Sequence, residues 1–554
     1  MAETKTGEAG ELLFVPLGGA GEIGMNLNLY GYDGQWLMLD LGVTFADDSQ
    51  PGIDVIMPDP AFIVERRDRL LALVLTHAHE DHIGAVPYIW PLLRCPVYAT
   101  PFTASVLRGK LAEAGLLNEV EITEVPLGGR FTVGPFDLEL VTLTHSIPEP
   151  NGVIIRTPAG TVMHTGDWKL DPGPLVGEAF DEAALRAVGD EGVLAMVGDS
   201  TNALTDGQSG SEADLRESLI ALAGGRAGRI AIACFASNVA RLETVAAVAA
   251  AHGREASLIG RSLWRMYEAA RANGYLGGIR PFLPEQEAMS VPRDKLVVAC
   301  TGSQGEPRAA LSRIVAGTHR SLRFDAGDVV FFSSRIIPGN EKSIGRLHND
   351  LIRMGVEVIT EKDHFVHVSG HPARDELVRM YQWVRPRIAV PVHGELRHMK
   401  AHARLAQDCQ VPESVVIENG AVVRLAPGPA EVVDHQPTGR LAVEGDLLLD
   451  IDGETMRARR RIMYNGMATA SLVVDGAGAL VVEPRLTLGG LVTDAEHALE
   501  ERLLAVVHGA LDALPAAERR DDEALGEAVR RAIRRAVAER FGKRPVTTVH
   551  VMRL

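Results

Sequence analysis

The chain has 554 residues, 46% hydrophobic and 23% charged, which is the composition of a globular protein and too long for one ordinary core, so two or three domains are expected. A formal net charge of −17 excludes a basic coat for indiscriminate nucleic-acid binding, yet leaves room for a nuclease whose positive charge is local. No run approaches the roughly 20 apolar residues of a membrane helix, so no membrane partner is expected.

The opening, MAETKTGEAGELL, is polar and lacks the apolar centre of a signal peptide, so a cytoplasmic protein is expected. Apolar runs at Leu12–Leu17, Asn26–Tyr30 and Trp36–Leu41, separated by glycine-rich turns, predict antiparallel strands. Leu70–Leu75 reads as a buried strand, with a short helix from Ile83; further strands fit Phe136–Leu143, Gly152–Thr157 and Thr161–His164. Near Gly210 the rhythm changes. Strands at Arg229–Phe235, Lys295–Cys300, Asp328–Phe332 and Val356–Ile359 alternate with helical stretches such as Asn238–Ala251, which implies a largely parallel sheet covered on both faces. Ligands of such sheets sit beyond the carboxyl ends of strands, which points to the loops at 236–238, 301–305 and 333–341. Residues 372–427 read as helix, strand (Arg387–Val392), helix and strand. Arg457, Arg459, Arg460 and Arg461 follow as a basic cluster, read as a solvated hinge unless they meet RNA phosphates or a partner subunit. The last part predicts strands at Ser471–Val474 and Ala479–Val482, helices over Ala495–Leu514 and Glu523–Arg540, and a final strand at Val546–Met552. Leu499, Leu503, Leu504, Val507 and Leu511 recur there at helical spacing, as a core or a docking face. Four scattered cysteines, Cys95, Cys234, Cys300 and Cys409, lack metal-type spacing and read as reduced and buried.

The chemistry gathers first at Thr76-His77-Ala78-His79-Glu80-Asp81-His82, directly after a buried strand. Neutral imidazole nitrogen binds zinc and neighbouring metals well, and on a turn successive side chains diverge far enough to face two ions. A polar loop with incidental histidines rarely has this density. His145, Asp167 and His393 each follow an apolar strand elsewhere; any one alone is better read as a structural histidine or turn aspartate, but their occurrence with the first motif reverses that. Asp40, ending Leu37–Asp40, is expected behind the ligands, orienting a histidine or holding the loop.

These residues resemble the metal-binding series of the metallo-β-lactamase superfamily. Asp199-Ser200-Thr201-Asn202, Ser369-Gly370-His371 and Pro391-Val392-His393-Gly394-Glu395 resemble the additional motifs of its β-CASP nucleic-acid-processing branch. The stretches PLGGAGEIGMN, GIDVIMPD, HAHEDHIGAVPY, GSQGEP and SSRIIPGNE are similar to the ribonuclease J family, in order from about residue 12 to 450. The resemblance implies an αββα sandwich with an inserted doubly wound α/β domain and a small C-terminal α/β domain. The expected boundaries are residues 1–209 and 369–448 for the sandwich, 210–368 for the insertion, 449–465 for a linker and 466–554 for the C-terminal domain. It implies His77, His79 and His145 on one ion, Asp81, His82 and His393 on a second, and Asp167 bridging them. The two divalent ions are expected to be zinc, with manganese or magnesium as alternatives.

The implied activity is hydrolysis of RNA phosphodiester bonds by a metal-activated water, in RNA decay and maturation, with Asp81, Asp199 and His371 catalytic and Asp199 orienting the histidine. A 5′-monophosphate pocket is expected from Ser237, Asn238, Ser303, Gln304, His367, Val368, Ser369, Gly370 and His371, giving 5′-to-3′ exonuclease action on single-stranded RNA with some endonuclease activity. Each of these alone is better explained as a turn former. A homodimer or homotetramer, with partners in an RNA-degradation complex, is expected. A small-molecule metallo-hydrolase would share the first motif but would not need the insertion, His371 or His393. A transfer-RNA 3′-processing endonuclease would carry a glycine- and proline-rich arm that is not found here, and a non-catalytic scaffold would have lost ligands.

Overall fold

The computed structural model describes residues 10–47, 49–491 and 496–554. They form two compact units. One holds the described residues up to Thr44 together with Met57–Gly439; the other holds Phe45–Ile56 with Arg440–Leu554.

The first unit is built on two facing sheets. An eight-stranded sheet has Leu12–Gly18, Leu27–Tyr32, Gln35–Leu39 and Leu70–Val74 at its centre, and a seven-stranded sheet has Phe136–Thr142, Asn151–Thr157, Gly160–His164, Ala195–Asp199 and Ile388–Val392. Phe14, Tyr30, Leu37 and Val74 from one sheet meet Leu138, Val153, Val162, Val197 and Val390 from the other in a single buried cluster. Because side chains alternate along a strand, Ile154, Met163, Met196 and Ala389 emerge on the opposite face. There Leu185, Met380 and Leu405 cover them, from the helices Glu182–Glu191, Arg374–Val384 and Leu396–Asp408. This is the expected αββα sandwich.

The insertion carries a five-stranded, wholly parallel sheet in the order Glu255–Ile259, Leu296–Cys300, Ile230–Ala233, Val329–Phe332, Glu357–Ile359. Its first strand in sequence is central, so the winding reverses beside it, and the loops after Ala233, Cys300 and Phe332 open at that reversal. The two connections to the sandwich are tied by one buried carboxylate. Glu376 accepts hydrogen bonds from the backbone N–H groups of Leu170, Ser209 and Ala373 and from the Ser209 hydroxyl. Beside it Lys169 donates to Gly210 O and pairs with Asp171, which accepts from Ser211 and Glu212.

The second unit contains an antiparallel pair, Arg440–Glu444 with Leu447–Asp450, and a sheet in the order Arg485–Gly489, Met467–Val474, Val546–Arg553. Ala468, Ala470, Leu472 and Val474 pack against Leu503, Val507 and Leu511 of Glu496–Ala513 and Leu525, Val529 and Ile533 of Asp522–Phe541, so the leucine stripe is core. Several expectations change here. Ala479–Val482 is not a strand: Asp475 accepts from Ala477 and Ala479 N–H, which turns the chain sharply and leaves Val481 and Val482 exposed. The third strand is Arg485–Gly489, held by buried Leu486. Within the stretch read as a linker, Glu454–Asn465 is helical, anchored by buried Met456, and Arg440–Asp450 clusters with this unit. The strand Glu255–Ile259 was not anticipated, and Cys409 is only half-buried while the other three cysteines are buried. Ala495, the expected start of one helix, lies outside the described residues, as do residues 1–9 of the polar opening. No described helix is long and apolar enough to cross a membrane.

Candidate metal centre

Strand direction explains why residues so far apart in sequence share one edge of the sandwich. Gly160–His164, Ala195–Asp199 and Ile388–Val392 are parallel neighbours in register, so Asp167, Asp199 and His393 leave the sheet at the same end. Phe136–Thr142 runs the same way, two antiparallel steps from Ala195–Asp199's neighbour, and delivers His145 there. In the facing sheet Gln35–Leu39 and Leu70–Val74 are also parallel, which sets Asp40 beside the turn at Thr76–His82. Asp40 and His393 both occupy the left-handed region, with φ of 61° and 50°. That conformation costs a non-glycine residue about 1–3 kcal/mol and persists only where surroundings enforce it. Gly42 lies directly under the metal turn; a Cβ there would stand 1.7 Å from Asp81 O.

Three groups of ligand atoms converge, each within 4.8 Å: His77, His79, His145 and Asp167; Asp81, His82, Asp167 and His393; and Asp167, Asp199, His371 and His393, which shares two residues with the second. In the first, His79 Nδ1 lies 3.1 Å from His77 Nε2 and 3.0 Å from His145 Nε2. Zinc–nitrogen bonds of about 2.0–2.1 Å at tetrahedral angles hold nitrogens roughly 3.3 Å apart, so this trio fits one ion after a small outward shift. In the second, Asp167 Oδ2 is 3.2 Å from His82 Nε2, and Asp81 Oδ2 is 3.2 Å from His393 Nε2. Asp167 Oδ1 is buried without a hydrogen-bond partner among the described residues, an acceptor that a cation would satisfy.

The first two groups differ electrostatically. Burial, and after it the neighbouring imidazoles, push the His77 and His145 pKa values well below the ordinary range. Burial likewise takes His79 down to about 4, although Asp81 and Asp167 oppose it. His82 and His393 go the other way. Burial would lower them too, but Asp167 and the other carboxylates around them raise both well above the ordinary value. Asp40 orients His82, its Oδ2 2.7 Å from Nδ1, and accepts from Thr76 N–H and hydroxyl. Thr201 Oγ1 stands 2.8 Å from His393 Nδ1 and turns the other ring nitrogen towards Asp81.

His371 stands against this cluster. Its Nδ1 is 2.8 Å from Asp199 Oδ2; the Asp199 side chain is sealed, while 23% of the His371 side chain stays accessible. Burial would lower the His371 pKa, but Asp199 and then Asp167 hold it above the ordinary value. Asp199 is the residue expected from the sequence to orient His371; the contacts that hold the His371 backbone were not anticipated. Asn202 Nδ2 donates to Ser369 Oγ (2.7 Å) and His371 O (3.0 Å), and its Oδ1 accepts from Arg335 Nη1 (2.6 Å), a residue of the inserted domain. Gln304 in turn donates to Arg335 O and Ser334 Oγ and accepts from Ile337 N–H. The signal lay in the side chains following Asp199 and in SSRIIPGNE, but their pairing depends on tertiary distance alone.

The remaining predicted pocket residues divide. Ser369 Oγ also accepts from His371 N–H, and Gly370 O is bonded by His145 Nδ1; a Cβ at Gly370 would stand 2.6 Å from the His145 ring. Val368 is buried and apolar, and Gly210 packs against it. Ser303 Oγ and His367 Nδ1 are buried with no partner among the described residues. Burial, then the charges of Arg241, Arg335 and Lys169, drive the His367 pKa down to about 3, so its ring is neutral. Ser237 and Asn238 open the helix Val239–Ala251, with Asn238 Oδ1 spent on Arg241 N–H.

Family models match in chain order: "Beta-lactamase superfamily domain" over 50–189, "Ribonuclease J, beta-CASP domain" over 227–351, "Zn-dependent metallo-hydrolase RNA specificity domain" over 355–413 and "Ribonuclease J C-terminal domain" over 454–554. The chain is 48% identical to a ribonuclease J of Sinorhizobium meliloti across 98% of both chains. It is 39% identical to ribonuclease J 1 of Streptococcus pyogenes over 83% of this chain and 82% of that one, and 35% identical to a ribonuclease J of Thermus thermophilus over 92% and 90%. A crystal structure of a protein of unknown function from Enterococcus faecalis aligns with 75% of this chain and all of that one, at a TM-score of 0.53 and 15% identity, which concerns the fold alone.

Proposed function

The chain belongs to the ribonuclease J family, and from that premise we propose that this metal-dependent ribonuclease removes nucleotides from the 5′ end of single-stranded RNA at the centre around Asp167. The observation that carries the reading is the meeting of two four-ligand groups on one shared carboxylate, with His371 and Asp199 at their edge. We assign His77, His79 and His145 to one divalent ion, Asp81, His82 and His393 to another, and Asp167 to both. Three neutral imidazoles favour zinc in the first; the carboxylate-richer second also suits manganese. Bound ions would supply Lewis acidity, lowering the pKa of water and stabilising charge on a phosphate oxygen.

The protein's own groups do the rest. Asp199 fixes one nitrogen of His371 and favours its protonated form, so the other nitrogen can donate to a phosphate oxygen or hand a proton to the departing 3′-oxygen. Asn202 holds the carbonyl of His371 and the hydroxyl of Ser369, keeping that donor aimed. Ser303 and His367, each with a buried unpartnered atom, are assigned to a 5′-monophosphate together with Ser369 and the Gly370 backbone. Neutral His367 accepts or donates one hydrogen bond without adding charge. Because water and not the RNA 2′-hydroxyl is the nucleophile, products should carry 5′-phosphates.

The test uses end-labelled RNA with a 5′-monophosphate, hydroxyl or triphosphate, incubated with chelated enzyme and then with zinc, manganese or magnesium restored. Metal-restored decay that is fastest on the monophosphate, releasing 5′-phosphorylated mononucleotides, is expected. Main products ending in 2′,3′-cyclic phosphate would remove the mechanism, and equal rates on all three RNAs would remove the pocket.

A further inference from the structure

Charge is unevenly spread along the chain. Residues 440–554 hold 17 Lys or Arg against 18 Asp or Glu, a net of −1, so residues 1–439 carry −16 of the total −17. Within the near-neutral part, cations gather at one end of one helix. Glu454–Asn465 presents Arg457, Arg461 and Tyr464 on a single face, at i, i+4 and i+7, all exposed and Tyr464 by 61%. The other side of the helix is used inward: Met456 is buried, Arg459 pairs with Glu444, and Arg460 donates to Ile451 O. The side chains of Arg457 and Arg461 form no ion pair or hydrogen bond among the described residues, in contrast to their two neighbours.

A second segment adds to the same end. Lys543 Nζ donates to Tyr464 O at 2.6 Å, Arg544 N–H to Asn465 Oδ1 at 3.1 Å and Val546 N–H to Gly466 O at 3.0 Å. This fixes the turn carrying exposed Lys543 and Arg544 against the helix end. Only Glu454, a turn before Arg457, is acidic on that helix face. Unpaired cations beside an exposed tyrosine suit an anionic partner with flat rings, whose charges the cations meet and whose rings the tyrosine can stack on.

We propose that this face binds single-stranded RNA, its cations meeting backbone phosphates and Tyr464 stacking on a base, so that it holds nucleotides beyond those taken by the metal centre. The proposal rests on the ribonuclease reading and adds to it a second, sequence-tolerant contact that should act on long substrates only.

The test compares full-length, metal-loaded enzymes on a long unstructured 5′-monophosphate RNA and on a short oligonucleotide. The variant Arg457→Gln/Arg461→Gln/Lys543→Gln/Arg544→Gln should raise KM for the long RNA about tenfold or more, with kcat and short-substrate kinetics unchanged. Loss of four phosphate contacts should also flatten the salt dependence of long-RNA binding by roughly 3 in log–log slope. Tyr464→Ala should raise the long-RNA KM at least about fivefold, and Tyr464→Phe should not. Arg457→Lys/Arg461→Lys, which keeps the charge, should behave as wild type and reports on folding. Unchanged KM on long RNA, or an equal loss on long and short RNA, overturns the proposal. So does a change in sedimentation with KM intact, which would make this a contact between copies of the chain. Failure of the wild-type enzyme to cleave either RNA would instead sink the ribonuclease reading.

Discussion

The two halves of the metal cluster use the same side chain to opposite ends. Around His77 and His145 the nearest charges are other imidazoles, and burial with mutual repulsion keeps the rings neutral; at His79 burial outweighs the opposing pull of Asp81 and Asp167. Around His82 and His393 the neighbours are Asp40, Asp81, Asp167 and Asp199, which pull protons onto the rings despite burial. One half therefore offers lone pairs in advance, and the other holds protons that a cation must displace. The contrast shows that histidine has no fixed role in such a site; the company it keeps decides whether it waits as a donor or as an acid.

Asp167 belongs to both halves, so its loss tests whether they form one machine. Asp167→Ala should lower kcat/KM by more than about a thousandfold, beyond the cost of losing a single transition-state donor, with the fold retained by circular dichroism. Turnover near wild type would break the comparison at its root. Removing one half at a time sharpens it. His79→Ala should retain metal in the acidic half alone and Asp81→Ala in the imidazole half alone, as counted by elemental analysis. Calorimetry in buffers of different ionisation enthalpy should then find protons released on binding to the acidic half and almost none on binding to the other. The sign follows from the shifts: raised pKa values mean protonated rings near neutrality, so affinity of the acidic half falls as pH drops, by about tenfold per unit for each proton displaced. The imidazole half should hold its affinity until pH nears the value of about 4 at which His79 protonates. Equal proton release from both would erase the distinction.

Smaller effects probe what lies behind the ligands. Thr201→Val removes the hydroxyl beside His393 Nδ1 and should weaken the acidic half by about 10–100-fold while sparing the other, measured as separate metal dissociation constants. The smallest effect lies outside both halves. His402 is buried between Ser200 and Tyr381, and burial lowers its pKa to about 4. Below about pH 6.5 the unfolded chain takes up a proton that the folded chain refuses until about pH 4, so His402 erodes stability across that window by about 1.4 kcal/mol per pH unit. Denaturation midpoints of His402→Gln should fall less steeply there than those of wild type.

The candidate ligands were legible because few other roles explain a run of histidines and an aspartate immediately after an apolar strand. The fold that gathers them was legible from the same strands. What could not be read were contacts whose partners share no local pattern. Arg335 reaches Asn202 from another sheet, and Glu376 joins three chain segments from within a helix. Thr201 was in plain view beside Asp199, but its target became visible only when the strand Ile388–Val392 was paired with Ala195–Asp199. At the other end of the chain, apolar Val481 and Val482 imitated a strand because alternation reports side-chain type and not the turn that Asp475 imposes before them.

The insertion between Asp167 and His393 also sets an order of manufacture. During synthesis the early ligands leave the ribosome long before the late one, and at roughly 5–20 residues per second the interval lasts tens of seconds. For most of it the nascent chain lacks His371, and to its end it lacks His393, the residues proposed as proton donor and as last member of the second ligand group. Because those two residues follow the insertion, the candidate ligand set stays incomplete until residue 393 of 554 has been made.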